Sequence, residues 1–409
     1  MPKSLKISLL AVSVMLVVGV FLGVNARGVH AAGDAQQEGA YRQINVYGEV
    51  LQHIETEYVV DPNMHNVTNG ALRGLLESLD ADSSYLTPED YKAYKSDKVG
   101  KAQVGINISK RYGYATVVSV IANSPADKAN IADGDIIEAI GTLDTRDLSL
   151  AMIQTMLEGA PGSELHIAVI RPRKAEPEKI TLSRAMISEP AVSETLYENS
   201  TIVYLAPAVL DKDHVNQMEQ KLKSAAKSNR KVLLDLRDVS TGNMQEGVRA
   251  ANLFLKSGTI ATLEGQKFPK QTFGAEASKA VDATSPLVVL VNRGTAGAAE
   301  LLAAAINDNH RGDLVGEKTF GSGTEQKTFE LSDGGAVILS IAKYASPAGK
   351  KFEDDAVTPT TVVAANDDLP TDSDASDSTT KTPAPPKKPT PAQDNTLNKG
   401  LDMLKAKAA

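Results

Sequence analysis

Between Thr201 and Val363 the chain alternates short apolar runs, such as KVLLDLRD and SPLVVLVN, with longer stretches of helical period, such as EGVRAANLFLKSG and GAAELLAAAIND. Strands that are apolar throughout must be covered on both faces, and crossover helices cover them, so this pattern predicts a parallel sheet in an α/β core over 186–363. From 101 to 185 the pattern changes to β-branched runs, VGINI, YATVVSVI, DIIEAI and LHIAVIRP, broken by turn residues and one helical segment near Leu148 to Leu157. That predicts a compact β-rich module. Over 38–100 apolar residues recur at helical spacing, as in Val46, Val50 and Ile54 and then Leu72, Leu75, Leu76 and Leu79, which predicts a helical N-terminal region. The stretch 364–395 is dominated by Asp, Ser, Thr, Pro and Lys, including TKTPAPPKKPTPAQ, and reads as a linker too poor in apolar surface to fold. Residues 396–409 place Leu397, Leu401 and Leu404 on one face of a last helix.

The first residues carry Lys3 and Lys6, then an apolar run from Leu9 to Val24, then the small-residue sequence Val29-His30-Ala31. This arrangement reads as an export signal over 1–32, or as an uncleaved anchor attached to a membrane through residues 9–24. Either way the rest of the chain is expected in the periplasm or cell envelope. The chain has no cysteine, which excludes disulfides, a thiolate nucleophile and Cys-ligated zinc. Its net charge of -8 argues against nucleic acid as a partner. The six histidines are scattered, none at i, i+4 from another, so no metal site is expected, and no cofactor is implied.

The segment QVGINI followed by VVSVIANSPADKANIADGDIIEAIG resembles a PDZ domain, with SPADKA and DGDII at the family's spacing. The resemblance implies that Gly105, Ile106, Asn107 and Ile108 form the loop and strand that receive a polypeptide C-terminus. There, backbone N–H groups hold the carboxylate and the peptide adds a strand to the sheet edge.

The order of parts is equally specific. A region with GALRGLLESLDADSSYLTPEDY, then the PDZ-like module, then a core with LLDLRD and GEKTFGSGTEQ resembles the carboxyl-terminal processing peptidases, from Tyr41 to about Pro359. The resemblance implies a multidomain α/β fold: a crotonase-like peptidase core with an inserted β-rich PDZ domain and a helical N-terminal region. It also implies a serine nucleophile served by a lysine base. A serine hydroxyl attacks only when a base takes its proton, and lysine can be that base only when its pKa is lowered toward neutrality. Through Glu300 and Phe320-Gly321, the nucleophile position falls on Gly297 and the base position on Ser322, with Gln326 retained. The oxyanion region falls on Thr241, Gly242 and Ala298, and the family's paired glycine is Thr241 here. Three readings follow. The leading one is an exported homologue that binds polypeptide C-termini or unfolded proteins without cleaving them. A second is an endopeptidase with a non-standard nucleophile, for which Thr295 with Lys318 is the available pair. A third is a scaffold that assembles with itself or with an active family member.

Overall fold

The computed structural model describes residues 42–96, 102–111, 113–171, 176–364 and 393–407. The expected export signal and most of the 364–395 linker lie outside the described residues. Among those residues no helix is long and apolar enough to cross a membrane.

The chain divides into two compact units, residues 1–71 and 72–409. In the first, a helix over 42–57 (α1) is followed by the start of α2 (Met64–Glu77). Ile44, Val46, Tyr47 and Val50 of α1 are exposed. The stretch that reads as helical to residue 100 does not continue so. After α2 comes a short strand, β1 (Ser84–Leu86), before α3 (Pro88–Lys95). Asp80 explains the break, because its carboxylate accepts from the backbone N–H groups of Asp82 and Ser83 at 3.0 and 2.6 Å and turns the chain.

In the second unit, β2 (Ile106–Arg111), β3 (Tyr114–Val120), α4 (Pro125–Lys128), β4 (Ile136–Ile140), β5 (Leu143–Asp144), α5 (Leu150–Leu157), β6 (Glu164–Ile170) and β7 (Glu178–Ser183) build the β-rich module. Its sheet runs β2-β3-β4-β6-β7, with β5 beside β4. Among the described residues, strand β2 therefore has one edge without a strand partner.

The core follows with β8 (Ser193–Tyr197), β9 (Ile202–Ala206), α6 (Lys212–Lys227), β10 (Lys231–Asp235), α7 (Met244–Asn252), β11 (Thr259–Glu264), β12 (Gln271–Gly274), β13 (Leu287–Val291), α8 (Ala298–Asp308), β14 (Asp313–Gly316), β15 (Thr324–Glu330), β16 (Ala336–Ala345), α9 (Phe352–Asp355) and β17 (Thr361–Val362). The main sheet has the order β17-β14-β13-β10-β9-β8, parallel apart from the edge strand β8. Side chains alternate across it. Val232 and Leu234 of β10, with Val289 and Val291 of β13, join the core formed with α6, α7 and α8. Leu233, Val288 and Leu290 face the other way. A smaller antiparallel sheet, β1-β16-β11-β12 with β15 along β16, completes the core.

That second face of the main sheet is covered by α10 (Asn395–Ala406), through Leu397, Leu401 and Leu404. Polar contacts fix its position. Asp394 caps the helix at the Leu397 N–H (2.9 Å) and accepts two bonds from Arg237 at 2.9 and 2.8 Å. Lys231 Nζ donates to the Leu404 carbonyl at 2.9 Å, near the negative end of the helix. Leu404 is fully buried, so Leu404→Ala should lower the unfolding free energy by about 2–5 kcal/mol. A urea titration of both proteins checks this, and the midpoint should move to lower urea.

Candidate functional site

The site is organised by one buried carboxylate. Glu300 is the third residue of α8 and has no exposed surface. Small residues around it, Ala298, Ala299 and Ala303, let α8 sink into the core and carry the carboxylate with it. Its oxygens accept from the Gly297 N–H at 3.0 Å, from the N–H groups of Gly321 and Ser322 at 2.7 and 2.8 Å, and from the Thr319 hydroxyl. The bond to Gly297 is the return half of a capping box, in which a glutamate reaches back to the residue before its helix. The other three hold the loop between β14 and β15. Burial pushes this carboxyl up to about 7, against the lowering effect of the four donors.

Gly297 itself has φ +58° and ψ -115°, a backbone conformation that L side chains rarely adopt. A Cβ placed there meets nothing within 4 Å, so the restriction is torsional and not steric. The loop carrying Ser322 is held from three sides. Glu300 grips it from below, the Phe320 N–H donates to the Thr295 carbonyl at 3.0 Å, and Arg111 of β2 donates to the Phe320 carbonyl at 2.8 Å while stacking on its ring at 4.3 Å. The Gly297 and Ser322 positions are thus joined through a single side chain.

The turn after β10 forms another wall. Gly242 has φ +146°, and a Cβ there would meet the Leu210 carbonyl at 2.7 Å, so glycine is required. Thr241 does not adopt positive φ. A further left-handed position in this turn is filled by Asp238 (φ +62°), which Asn292 brackets with two bonds at 3.0 and 2.8 Å. The Thr241 carbonyl accepts from the Leu210 N–H at 3.2 Å, which pins the turn to the core.

These parts surround a cavity of about 360 Å³. One side is lined by Ile106, Asn107, Ile108 and Ser109 of β2 with Leu150, Gln154 and Leu157 of α5; the other by Ser240, Thr241, Ala296, Phe320, Ser322 and Asp82. The groove expected of the β-rich module and the positions expected of the peptidase site share one space. The Asn107 Nδ2 donates to Ser119 Oγ at 2.9 Å, and Ser119 Oγ lies 2.6 Å from Ser240 Oγ. This three-residue chain couples the module to the turn.

Among the residues named from sequence, Ile106, Asn107, Ile108, Thr241 and Ser322 come together on the cavity, with Gly105 leading into β2 and Gly297 and Ala298 following the lining residue Ala296. Gln326 lies on β15, exposed, and its Nε2 donates to the Asp82 carbonyl at 2.8 Å. Thr295 and Lys318 do not meet there. Thr295 is fully buried and its hydroxyl is engaged with the Leu236 carbonyl (2.8 Å) and the Asn292 N–H (3.0 Å), whereas Lys318 is exposed and lines a separate cavity. Sequence reasoning used Glu300 only as an alignment anchor and passed over Asp82. The small-residue neck followed three residues later by glutamate was a readable capping signal for Glu300. Asp82, in LDADSSY, had only a turn signature. Its Oδ2 accepts from Thr324 Oγ1 at 2.6 Å, and burial, aided by Asp80, raises its pKa.

An edge-exposed β-module opening onto the neck of a buried helix, against a largely parallel α/β core, defines a PDZ-bearing peptidase fold. Family models agree: peptidase family S41 matches residues 202–363 and the PDZ domain matches residues 102–183. The chain is 33% identical over 288 residues to the carboxyl-terminal-processing protease of Synechocystis sp., covering 68% of this chain and 67% of that protein. It is 30% identical over 316 residues to carboxyl-terminal-processing peptidase 2, chloroplastic, of Arabidopsis thaliana, covering 73% of this chain and 60% of the relative. The solved photosystem II D1 C-terminal processing protease shares the fold, with a TM-score of 0.66 at 24% identity over 78% of this chain and 86% of that one. The chain belongs to the carboxyl-terminal processing protease family.

The raised Glu300 pKa makes a signed prediction. The folded state holds this proton more tightly than the unfolded chain, whose carboxyl titrates near 4.5, so the stability it brings is complete below about 4.5 and is lost as the pH rises through about 7. Between pH 5 and 8 the wild type should lose on the order of 2–3 kcal/mol relative to Glu300→Gln, which has no proton to release. Other carboxyls titrate in both proteins and cancel in the difference. Urea unfolding of the pair at the two pH values checks it.

Proposed function

We propose that this protein is an exported, non-cleaving member of its family that binds polypeptide C-termini in the groove between β2 and α5. The observation that carries the reading is the glycine at the neck of α8: Gly297 offers no nucleophile at the place where the family resemblance puts one. Ser322 supplies no base, and among the described residues no lysine or histidine lines the cavity. Two further features support it. The Thr295 hydroxyl is already committed to the backbone, which disfavours the relocated pair. The free edge of β2, with α5 beside it, matches strand addition by a peptide. Export rests on the basic, apolar and small-residue pattern of residues 1–32.

In a serine peptidase, loss of the nucleophile costs on the order of 10⁶ in turnover, and losing its base as well costs little more, because the two act as a unit. Purified mature protein should therefore leave an unfolded-protein substrate uncut. Gly297→Ser with Ser322→Lys should gain measurable cleavage, and either change alone almost none. Gly297→Ser should also lower stability by about 1–3 kcal/mol, the cost of a side chain at that dihedral. Cleavage by the unaltered chain that co-purifies with it through successive columns would overturn the reading. For the groove, calorimetry should show a free peptide carboxylate binding at about micromolar Kd and the amidated peptide binding more weakly. Equal affinity for the two ends would remove carboxylate recognition.

A further inference from the structure

The charge of the cavity is one-sided. Among the described residues, its ionisable lining residues are Asp82 and Glu158, and the remaining polar ones, Gln103, Asn107, Gln154 and four hydroxyl-bearing residues (Ser109, Ser240, Thr241 and Ser322), are neutral. Asp82 is held in place twice, by Thr324 on its carboxylate and by Gln326 on its carbonyl, so its charge cannot swing out to solvent without breaking both. Ser322 stands on the same wall, where the family resemblance calls for a lysine. A short hydroxyl thus stands where the resemblance implies a long cationic side chain, in a cavity also lined by Asp82. Arg111, which could have turned toward this space, is committed to Phe320.

An anionic wall in a half-enclosed, partly apolar cavity favours a cation from outside, because opposite charges attract more strongly where water is partly excluded. The length of space matters too: a lysine side chain lies with its methylenes on apolar surface, here Ile106, Ile108 and Phe320, and its ammonium on acceptors. We propose that the groove is selective for polypeptides carrying a basic side chain near the C-terminus, whose cationic head sits between Asp82 and Ser322 in the place of the chain's own missing lysine. The inference rests on the peptide-groove reading and adds the class of ligand.

The test uses the full mature chain and fluorescein-labelled apolar peptides with free carboxyl ends, in which a single lysine is moved stepwise back from the C-terminus. At the best position, lysine is compared with acetyl-lysine and with norleucine by fluorescence anisotropy. The lysine peptide should bind about tenfold more tightly than either, the effect of one charge-assisted hydrogen bond in a partly desolvated site. Asp82→Asn and Ser322→Lys should each erase that difference while norleucine-peptide binding persists, the second by placing the chain's own ammonium in the space. If Asp82→Asn fails to fold, as judged by circular dichroism, Ser322→Lys decides alone. Equal binding of the three peptides at every position, or a lysine preference that survives Ser322→Lys, overturns the inference while leaving the groove intact. No binding of any peptide overturns the groove reading and this inference together.

Discussion

The arrangement of the site depends on burying the Glu300 carboxylate inside four donors. A buried carboxylate is costly unless its oxygens are satisfied, and here the satisfying groups come from both sides of the site: Gly297 at the neck of α8, and Thr319, Gly321 and Ser322 on the loop before β15. The same loop is tied down again by Thr319, whose hydroxyl accepts from the Val357 N–H at 2.8 Å. Removing the carboxylate would leave buried donors without acceptors on two segments otherwise joined by the bond from the Phe320 N–H to the Thr295 carbonyl. The carboxylate thus ties the two positions together although neither holds the residue type the resemblance implies.

The second organising contact lies between module and core. A PDZ fold can exist on its own core, and this one has its own cluster around Val104, Ile137, Ile153 and Val169. What orients it against the peptidase-like part is polar: the Ser119–Ser240 pair, extended to Asn107, and Arg111 on Phe320. Polar junctions of this kind contribute little energy each but fix geometry strongly. They set β2 across the cavity from the turn after β10, so a strand added to β2 would lie in the space between them.

Much of this was legible in the sequence where the signal was apolar and periodic. KVLLD and LVVLV became the buried strands β10 and β13, and Leu397, Leu401 and Leu404 became the covered face of α10, because burial on two faces or on one stripe leaves a direct compositional trace. The region to residue 100 was less legible, since DADSSYL is too short for a periodic signal and its strand β1 exists only by pairing with β16, far along the chain. Asp82 was illegible for a similar reason. Its partners Thr324 and Gln326 are more than two hundred residues away, and nothing local distinguishes it from Asp80, whose carboxylate serves the turn.

The glycine at the neck of α8 closes the physical account. At φ +58° and ψ -115° any residue with a Cβ is held against a torsional preference, and an enzyme must sustain that strain to aim a nucleophile out of the turn. Glycine carries no such strain, so at this position the substitution that removes the hydroxyl also relaxes the backbone. Since open space surrounds the position, nothing else has to move, and the Gly297 N–H still reaches Glu300. The helix, its carboxylate and the loop beyond are held in place by these bonds, and the cavity between them carries Asp82 and Ser322 on one wall. On the reading proposed above, such a site receives a chain end and draws a positive charge toward Asp82.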